Sequence, residues 1–142
     1  MPKYCLTPSR HAGFSLLEIL ISIFILAIGL LGLAALQTTS LKNNHSAQYR
    51  TTATVAAYDI IDRMRLNPNA DYTLTLATTP SAVSTLKDTD LLAWTTSLAA
   101  ELPLGDGAIA INGDIVTVTV QWDDSRGTQG NAAQSFVVRT ER

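Results

Sequence analysis

The sequence predicts an α+β protein, in which a long N-terminal transmembrane and amphipathic helix packs on a small antiparallel β-sheet head. Three observations predict this fold class. Residues 14–36 are almost wholly apolar, residues 37–68 continue with helical periodicity, and the C-terminal third alternates apolar and polar side chains around turn residues. The chain has 142 residues, which allows one modest head (residues 69–142) and not two.

Residues 14–36, the apolar segment, read FSLLEILISIFILAIGLLGLAAL. A helix of this length spans roughly 35 Å, which matches the hydrocarbon core of a bilayer. Lys3 and Arg10 precede it. Positive charges in this position favour a cytoplasmic N-terminus, so the rest of the chain is expected on the opposite side of the membrane.

Three other interpretations also fit an apolar N-terminal segment. A cleavable secretory signal has an apolar region of about 7–15 residues; this one is longer, although Gly32-Leu33-Ala34 offers a small-residue cleavage site. A plain single-pass anchor fits the length, and a buried helix of a soluble protein fits it less well. Glu18 separates these interpretations. A carboxylate in a membrane helix costs about 2.5–3.5 kcal/mol at the bilayer centre and is usually paired or functional.

The start of the apolar segment reads Gly13-Phe14-Ser15-Leu16-Leu17-Glu18 after a short basic leader. This arrangement resembles the class III signal of type IV pilins and pseudopilins. The resemblance implies that residues 1–13 are a prepilin leader, which prepilin peptidase removes by cutting between Gly13 and Phe14. It implies N-methylation of the new Phe14 amine. It also implies that Glu18 docks subunits, by pairing with the Phe14 amine of a neighbour.

A finer resemblance narrows the family to PilV-type minor pilins. It rests on the run from Ala56 to Pro68 (AAYDIIDRMRLNP), on Gly29-Leu30-Leu31-Gly32-Leu33, and on Trp122-Asp123-Asp124. The implied function is a non-catalytic subunit of type IV pilus assembly or initiation. The implied partners are other minor and major pilins and the inner-membrane pilus assembly machinery. The implied location is the inner membrane, crossed once, with the head in the periplasm or in the pilus.

Two alternatives to a minor pilin stay open. A type II secretion pseudopilin would use the same leader, helix and Glu18. A membrane-anchored periplasmic binding module or small enzyme, with an ordinary signal anchor, belongs to a different class and would not depend on prepilin peptidase.

Residues 37–68 are expected to continue the helix to about Leu66. Asp59 and Arg63 are four residues apart and can pair. Asn67-Pro68 ends the pattern, because the residue before a proline disfavours helical geometry. One apolar stripe for core packing is formed by Ala53, Ala57, Ile60, Ile61 and Met64.

Residues 69–89 are expected to form a loop with one short strand near residues 72–76. A second helix is predicted over residues 90–101, with Asp90 as its N-cap and Pro103 after its end. Leu91, Trp94 and Leu98 share one face of this helix, and Trp94 is interpreted as a core anchor.

The C-terminal third predicts three antiparallel strands. Residues 108–111 and 115–122 flank Asn112-Gly113, which is a strong hairpin signal. A third strand over residues 134–140 is expected to place Phe136 and Val138 inward. The buried face of the second strand is predicted from alternation to comprise Val116, Val118, Val120 and Trp122.

Charge and cysteine content restrict the function classes. After Gly13 the chain retains 8 basic and 12 acidic residues, a side-chain charge of 8 − 12 = −4. An acidic chain has no general attraction for nucleic acid, whose binding needs Lys and Arg to replace counterions. The single cysteine, Cys5, lies in the predicted leader, so the mature chain is expected to form no disulfide.

No metal, cofactor or catalytic site is predicted. His11 would leave with the leader, and His45 has no cysteine or second histidine near it in the sequence. The spacing of the late aspartates does not match an EF-hand loop, and turn formation is the simpler interpretation. These aspartates are Asp106, Asp114, Asp123 and Asp124.

Overall fold

The computed structural model describes residues 13–80, 83–128 and 130–141. The predicted leader, with Lys3, Cys5, Arg10 and His11, lies outside these residues except for Gly13. The elements in chain order are helix α1 (Leu16–Leu66), helix α2 (Leu86–Glu101) and strands β1 (Asp106–Asn112), β2 (Ile115–Asp124) and β3 (Asn131–Glu141). A long N-terminal apolar helix with a small antiparallel sheet confirms the predicted α+β class.

The chain divides into two compact units, an N-terminal unit (Met1–Thr38) and a C-terminal unit (Thr39–Arg142). The N-terminal unit contains the whole apolar segment. Helix α1 is apolar and long enough to cross a membrane, and its most apolar 18-residue stretch is 0% buried. This exposure does not fit the alternative of a buried helix in a soluble core, which would cover its apolar side chains.

The C-terminal unit has one hydrophobic core, to which the second half of α1 contributes the predicted stripe. Ala53, Ala57, Ile60, Ile61 and Met64 are all buried. They pack in one cluster with Leu91, Trp94 and Leu98 of α2, as predicted for that helix, and with the inner face of the sheet. Trp94 anchors this core, because its Nε1 donates a hydrogen bond to the Ala56 carbonyl at 2.8 Å.

Helix α2 begins at Leu86, four residues before the predicted start, and the prediction that Asp90 is its N-cap is wrong. The N-cap is Thr85, which forms a capping box with Asp88. The Thr85 side chain accepts the Asp88 amide at 3.3 Å, and the Asp88 carboxylate accepts the Thr85 amide at 3.0 Å. The helix ends before Leu102 and Pro103, as predicted.

The sheet has the order β1-β2-β3, with both pairs antiparallel. The β2 side chains predicted to be inward are buried, whereas Phe136 and Val138 of β3 are only half-buried against the core. Asn112 pairs with Ile115, so the two turn residues are Gly113 and Asp114. The turn is therefore one residue later than Asn112-Gly113, because Gly113 adopts the positive φ of 62° that the first turn position requires.

The strand predicted near residues 72–76 is reduced to a single bridge. Leu74 and Ile109 exchange two backbone hydrogen bonds of 2.9 and 2.8 Å. On either side the backbone departs from a strand. The Asp71 carboxylate accepts the Thr73 amide in a local turn, and Ala77 has a positive φ of 61°.

Candidate functional site

The predicted cleavage site lies just before α1. Gly13 and Phe14 precede the helix, and Phe14 is 80% exposed. A Cβ atom added to Gly13 would meet nothing within 4 Å. Within the described residues, the Gly13–Phe14 bond is therefore open to an approaching enzyme.

Ser15 organises the start of α1. Its carbonyl accepts the amides of Glu18 and Ile19 at 3.0 and 3.2 Å, and its hydroxyl accepts the Leu17 amide at 3.3 Å. These bonds satisfy amides that have no partner within the first helical turn. Glu18 consequently lies in the first turn, where the helix dipole favours a negative charge.

The Glu18 side chain is exposed, and it is the one ionisable side chain in residues 14–41. Ser22 donates its hydroxyl to the backbone carbonyl of Glu18 at 2.7 Å and not to the carboxylate. Across residues 13–80, 83–128 and 130–141, no side-chain bond to this carboxylate is found. The geometry thus leaves the carboxylate available to a group outside the described chain.

Residues 8–34 match the family described as the prokaryotic N-terminal methylation motif. This motif supports a type IV pilin-like or pseudopilin-like protein. The match covers Gly13, Phe14, Glu18 and most of the apolar segment, and it implies the context of prepilin peptidase and the pilin machinery. Pilin-like proteins are generally structural and non-catalytic. The exposed apolar helix together with the motif fits membrane anchoring. No curated protein and no solved structure was found to match the chain.

The histidine and the late aspartates are not assembled into a metal site in the part of the chain that the structure describes, where no group of three or more His, Cys, Asp or Glu side chains is suitably placed. The His45 ring lies beside the Tyr49 ring, with centroids 6.4 Å apart. Asp123 accepts a nearby backbone amide, as the turn interpretation predicts. Asp106 accepts the adjacent Gly107 amide, but its other carboxylate oxygen accepts the amide of the distant Ala77 at 2.6 Å. Asp124 also departs from the turn interpretation, because its carboxylate accepts the hydroxyl of the distant Ser46 at 2.9 Å.

A cluster of two cationic side chains and a histidine was missed from the sequence. Lys42, His45 and Arg126 line one cavity of about 270 Å³. Arg126 is 84 positions from Lys42 in the chain (126 − 42), so no spacing rule relates them. The only sequence signal is the glycine at position 127, which permits the loop between β2 and β3 to approach α1 closely.

Proposed function

We propose that this chain is a minor type IV pilin of the PilV type, a non-catalytic subunit that takes part in pilus assembly or initiation. One observation carries the proposal: Glu18 is the single ionisable side chain of the exposed apolar segment, five residues after Gly13, inside the matched methylation motif. The similarity of residues 56–68 and of Trp122-Asp123-Asp124 to PilV-type pilins supports the finer assignment.

Processing is proposed to occur on the cytoplasmic side of the inner membrane. Lys3 and Arg10 retain the leader there, because positive charges next to an apolar helix resist transfer across the membrane. Prepilin peptidase then cuts between Gly13 and Phe14 and methylates the new Phe14 amine. The head lies in the periplasm until the subunit enters the pilus with other minor and major pilins.

Docking is proposed to depend on the two charges at the start of the mature helix. Cleavage creates a positive amine on Phe14, and Glu18 of an incoming subunit pairs with the Phe14 amine of its neighbour. Either charge alone in an apolar environment is costly, so the pair fixes one register between adjacent helices.

The mature N-terminus, determined by mass spectrometry with and without prepilin peptidase, tests this proposal. A methylated Phe14 terminus is expected, and it should disappear when the peptidase is absent. Gly13→Val is expected to block cleavage. Gly29→Val is a matched control, because a Cβ at either glycine meets nothing within 4 Å and only Gly13 borders the proposed cut. An intact Met1 terminus, or cleavage after Ala34, contradicts the proposal.

A type II secretion pseudopilin is the second candidate, because the matched motif is common to both systems. Deletion of the chain distinguishes them: loss of surface pili with normal protein secretion supports the pilin. Loss of secretion with normal pili supports the pseudopilin, and secretion genes beside this gene would agree with it. A membrane-anchored binding module would have the same N-terminus in strains with and without prepilin peptidase.

A further inference from the structure

The loop between β2 and β3 lies against α1. The Ser46 hydroxyl donates to the Asp124 carboxylate at 2.9 Å, and the Thr128 hydroxyl donates to the Asn43 side chain. A Cβ atom on Gly127 would come within 2.5 Å of the Ser46 hydroxyl oxygen. Glycine at position 127 therefore allows the loop to approach α1 more closely than any other residue would. This approach places Arg126 beside the helix.

Arg126 lines one cavity together with two side chains of α1. Lys42 and His45 are three residues apart on one helical face and line a cavity of about 270 Å³ with Arg126. All three side chains are exposed. The cavity is completed by Tyr49, Asp124 and Gly127.

The described cations of the C-terminal unit divide into those with an ion pair and those without one. Arg63, Arg65 and Lys87 each have a carboxylate within 4.0 Å. Within the described residues, Lys42, Arg126, Arg50 and Arg139 have no such ion pair. Hydrogen bonds from Ser125, together with the charge of Arg126, lower the pKa of Asp123, so Arg126 interacts with that carboxylate at longer range. Helix α1 also carries no acidic residue between Glu18 and Asp59.

The two acidic residues near the cavity are both engaged in holding the loop. The Asp123 carboxylate accepts the Ser125 amide at 2.8 Å. Asp124 is only 8% exposed and accepts the Ser46 hydroxyl. Among the residues that line the cavity, the exposed charged side chains are therefore Lys42 and Arg126, and the one carboxylate, that of Asp124, is buried.

We propose that this cavity binds the phosphate group of an anionic phospholipid, at the membrane surface from which the apolar segment emerges. Lysine and arginine supply the charge and the donors that phosphate oxygens accept. Lys42 follows Leu36 by six residues, which span at most about 20 Å in any conformation, so the cavity lies within reach of the headgroups. The inference rests on the proposed membrane anchor.

Lipid retention by the full mature chain tests the site. The chain is placed in nanodiscs with equal amounts of phosphatidylglycerol and phosphatidylcholine, and the lipids that stay bound after release are counted by native mass spectrometry. Wild type is expected to retain phosphatidylglycerol preferentially. Lys42→Gln and Arg126→Gln should each lower this retention about fivefold. Arg139→Gln is the matched control, since it removes an exposed cation of β3 that does not line the cavity.

A third variant separates position from charge. Gly127→Val leaves every charge in place but displaces Arg126 from α1, so it should also lower phosphatidylglycerol retention. Thermal unfolding of each variant checks that the fold is intact. Substitution of Lys42 or Arg126 is expected to leave the melting temperature unchanged, because both side chains are exposed.

Equal retention of the two lipids overturns the proposal, and so does unchanged retention in the Lys42→Gln/Arg126→Gln double variant. If inorganic phosphate displaces the lipid at an equal concentration, the cavity is a site for free anions, and the proposal of a phospholipid ligand is wrong. A chain that does not enter the nanodisc contradicts the membrane anchor and this site together. Insertion without lipid preference contradicts this site alone.

Discussion

The Tyr72 hydroxyl donates a hydrogen bond to the Asp90 carboxylate at 2.8 Å, and Tyr72 itself is fully buried. Arg63 of α1 reaches the other oxygen of the same carboxylate at 3.3 Å. Burial and the hydrogen bond to Asp90 raise the pKa of Tyr72. One side chain of α2 therefore connects α1 with the segment between the two helices.

Tyr72→Phe should lower the free energy of unfolding by about 1.5–3 kcal/mol, because it removes a buried hydrogen bond to a charged group and keeps the ring. Denaturant unfolding of the purified chain measures the change. Arg65→Gln is the control: it breaks the exposed ion pair with Asp62 and should cost no more than about 1 kcal/mol. Equal losses for the two substitutions would show that the Tyr72–Asp90 hydrogen bond stabilises the fold no more than an exposed ion pair does.

Asp90 also shows where sequence reasoning reached its limit. Its partners lie 18 and 27 positions away, and such distant contacts leave no local pattern in the sequence. Its position just before an apolar helical face is typical of a helix cap, and that pattern led to the wrong prediction. The stripe on α1 and the alternation on β2 were predicted correctly because local periodicity fixes which side chains share a face. The contact of the β2–β3 loop with α1 joins residues 78 positions apart and leaves no local pattern. In contrast, the Gly13–Glu18 signal is contiguous and could be recognised directly.

Trp94→Phe should destabilise the C-terminal unit more than Trp122→Phe, by about 1 kcal/mol. Both rings are buried and both substitutions remove similar volume. Trp94 donates a hydrogen bond to the Ala56 carbonyl, whereas the Trp122 Nε1 has no partner among the described residues. Denaturant unfolding of the two variants gives the difference directly. A larger loss of unfolding free energy for Trp122→Phe would contradict the stabilising role of the Trp94–Ala56 hydrogen bond.

Gly107→Ala should lower the free energy of unfolding by about 1–3 kcal/mol, the usual cost of overpacking. A Cβ atom at this position would lie 2.3 Å from Trp94 Cη2, and that ring is held in the core. Thermal unfolding measures the loss. Gly29→Ala is the control, because a Cβ there meets nothing within 4 Å and alanine favours a helix. An unchanged melting temperature for Gly107→Ala would show that the core relaxes around the added methyl group.

Asp88 should make the start of α2 sensitive to acid. Hydrogen bonds from the side chains of Thr85 and Ser84 lower the pKa of Asp88 from 3.8 to about 2. A lowered folded-state pKa means that the stabilisation is present above pH 4 and is lost as the pH falls toward 2. The melting temperatures of wild type and Asp88→Ala should therefore differ at pH 6 and converge near pH 2. A difference that does not change with pH would contradict the charge-dependent capping box.

Glu18→Leu should abolish incorporation into filaments while leaving membrane anchoring intact. Removing a carboxylate from an apolar helix relieves a membrane cost of about 2.5–3.5 kcal/mol at the bilayer centre, so the variant should stay in the membrane fraction. Loss of assembly can then be assigned to loss of the proposed pair with the Phe14 amine. Sheared surface filaments, probed for this chain by immunoblot, give the measurement.

Ser22→Ala is the matched control for Glu18→Leu, because Ser22 is an exposed polar residue of the same helix and bonds only the Glu18 backbone carbonyl. It should enter filaments at the wild-type level. Mass spectrometry of the Glu18→Leu terminus adds the second control: a methylated Phe14 shows that processing has occurred and that the defect follows it. If Glu18→Leu enters filaments as well as wild type, the carboxylate does not pair with the Phe14 amine, and another contact must set the register.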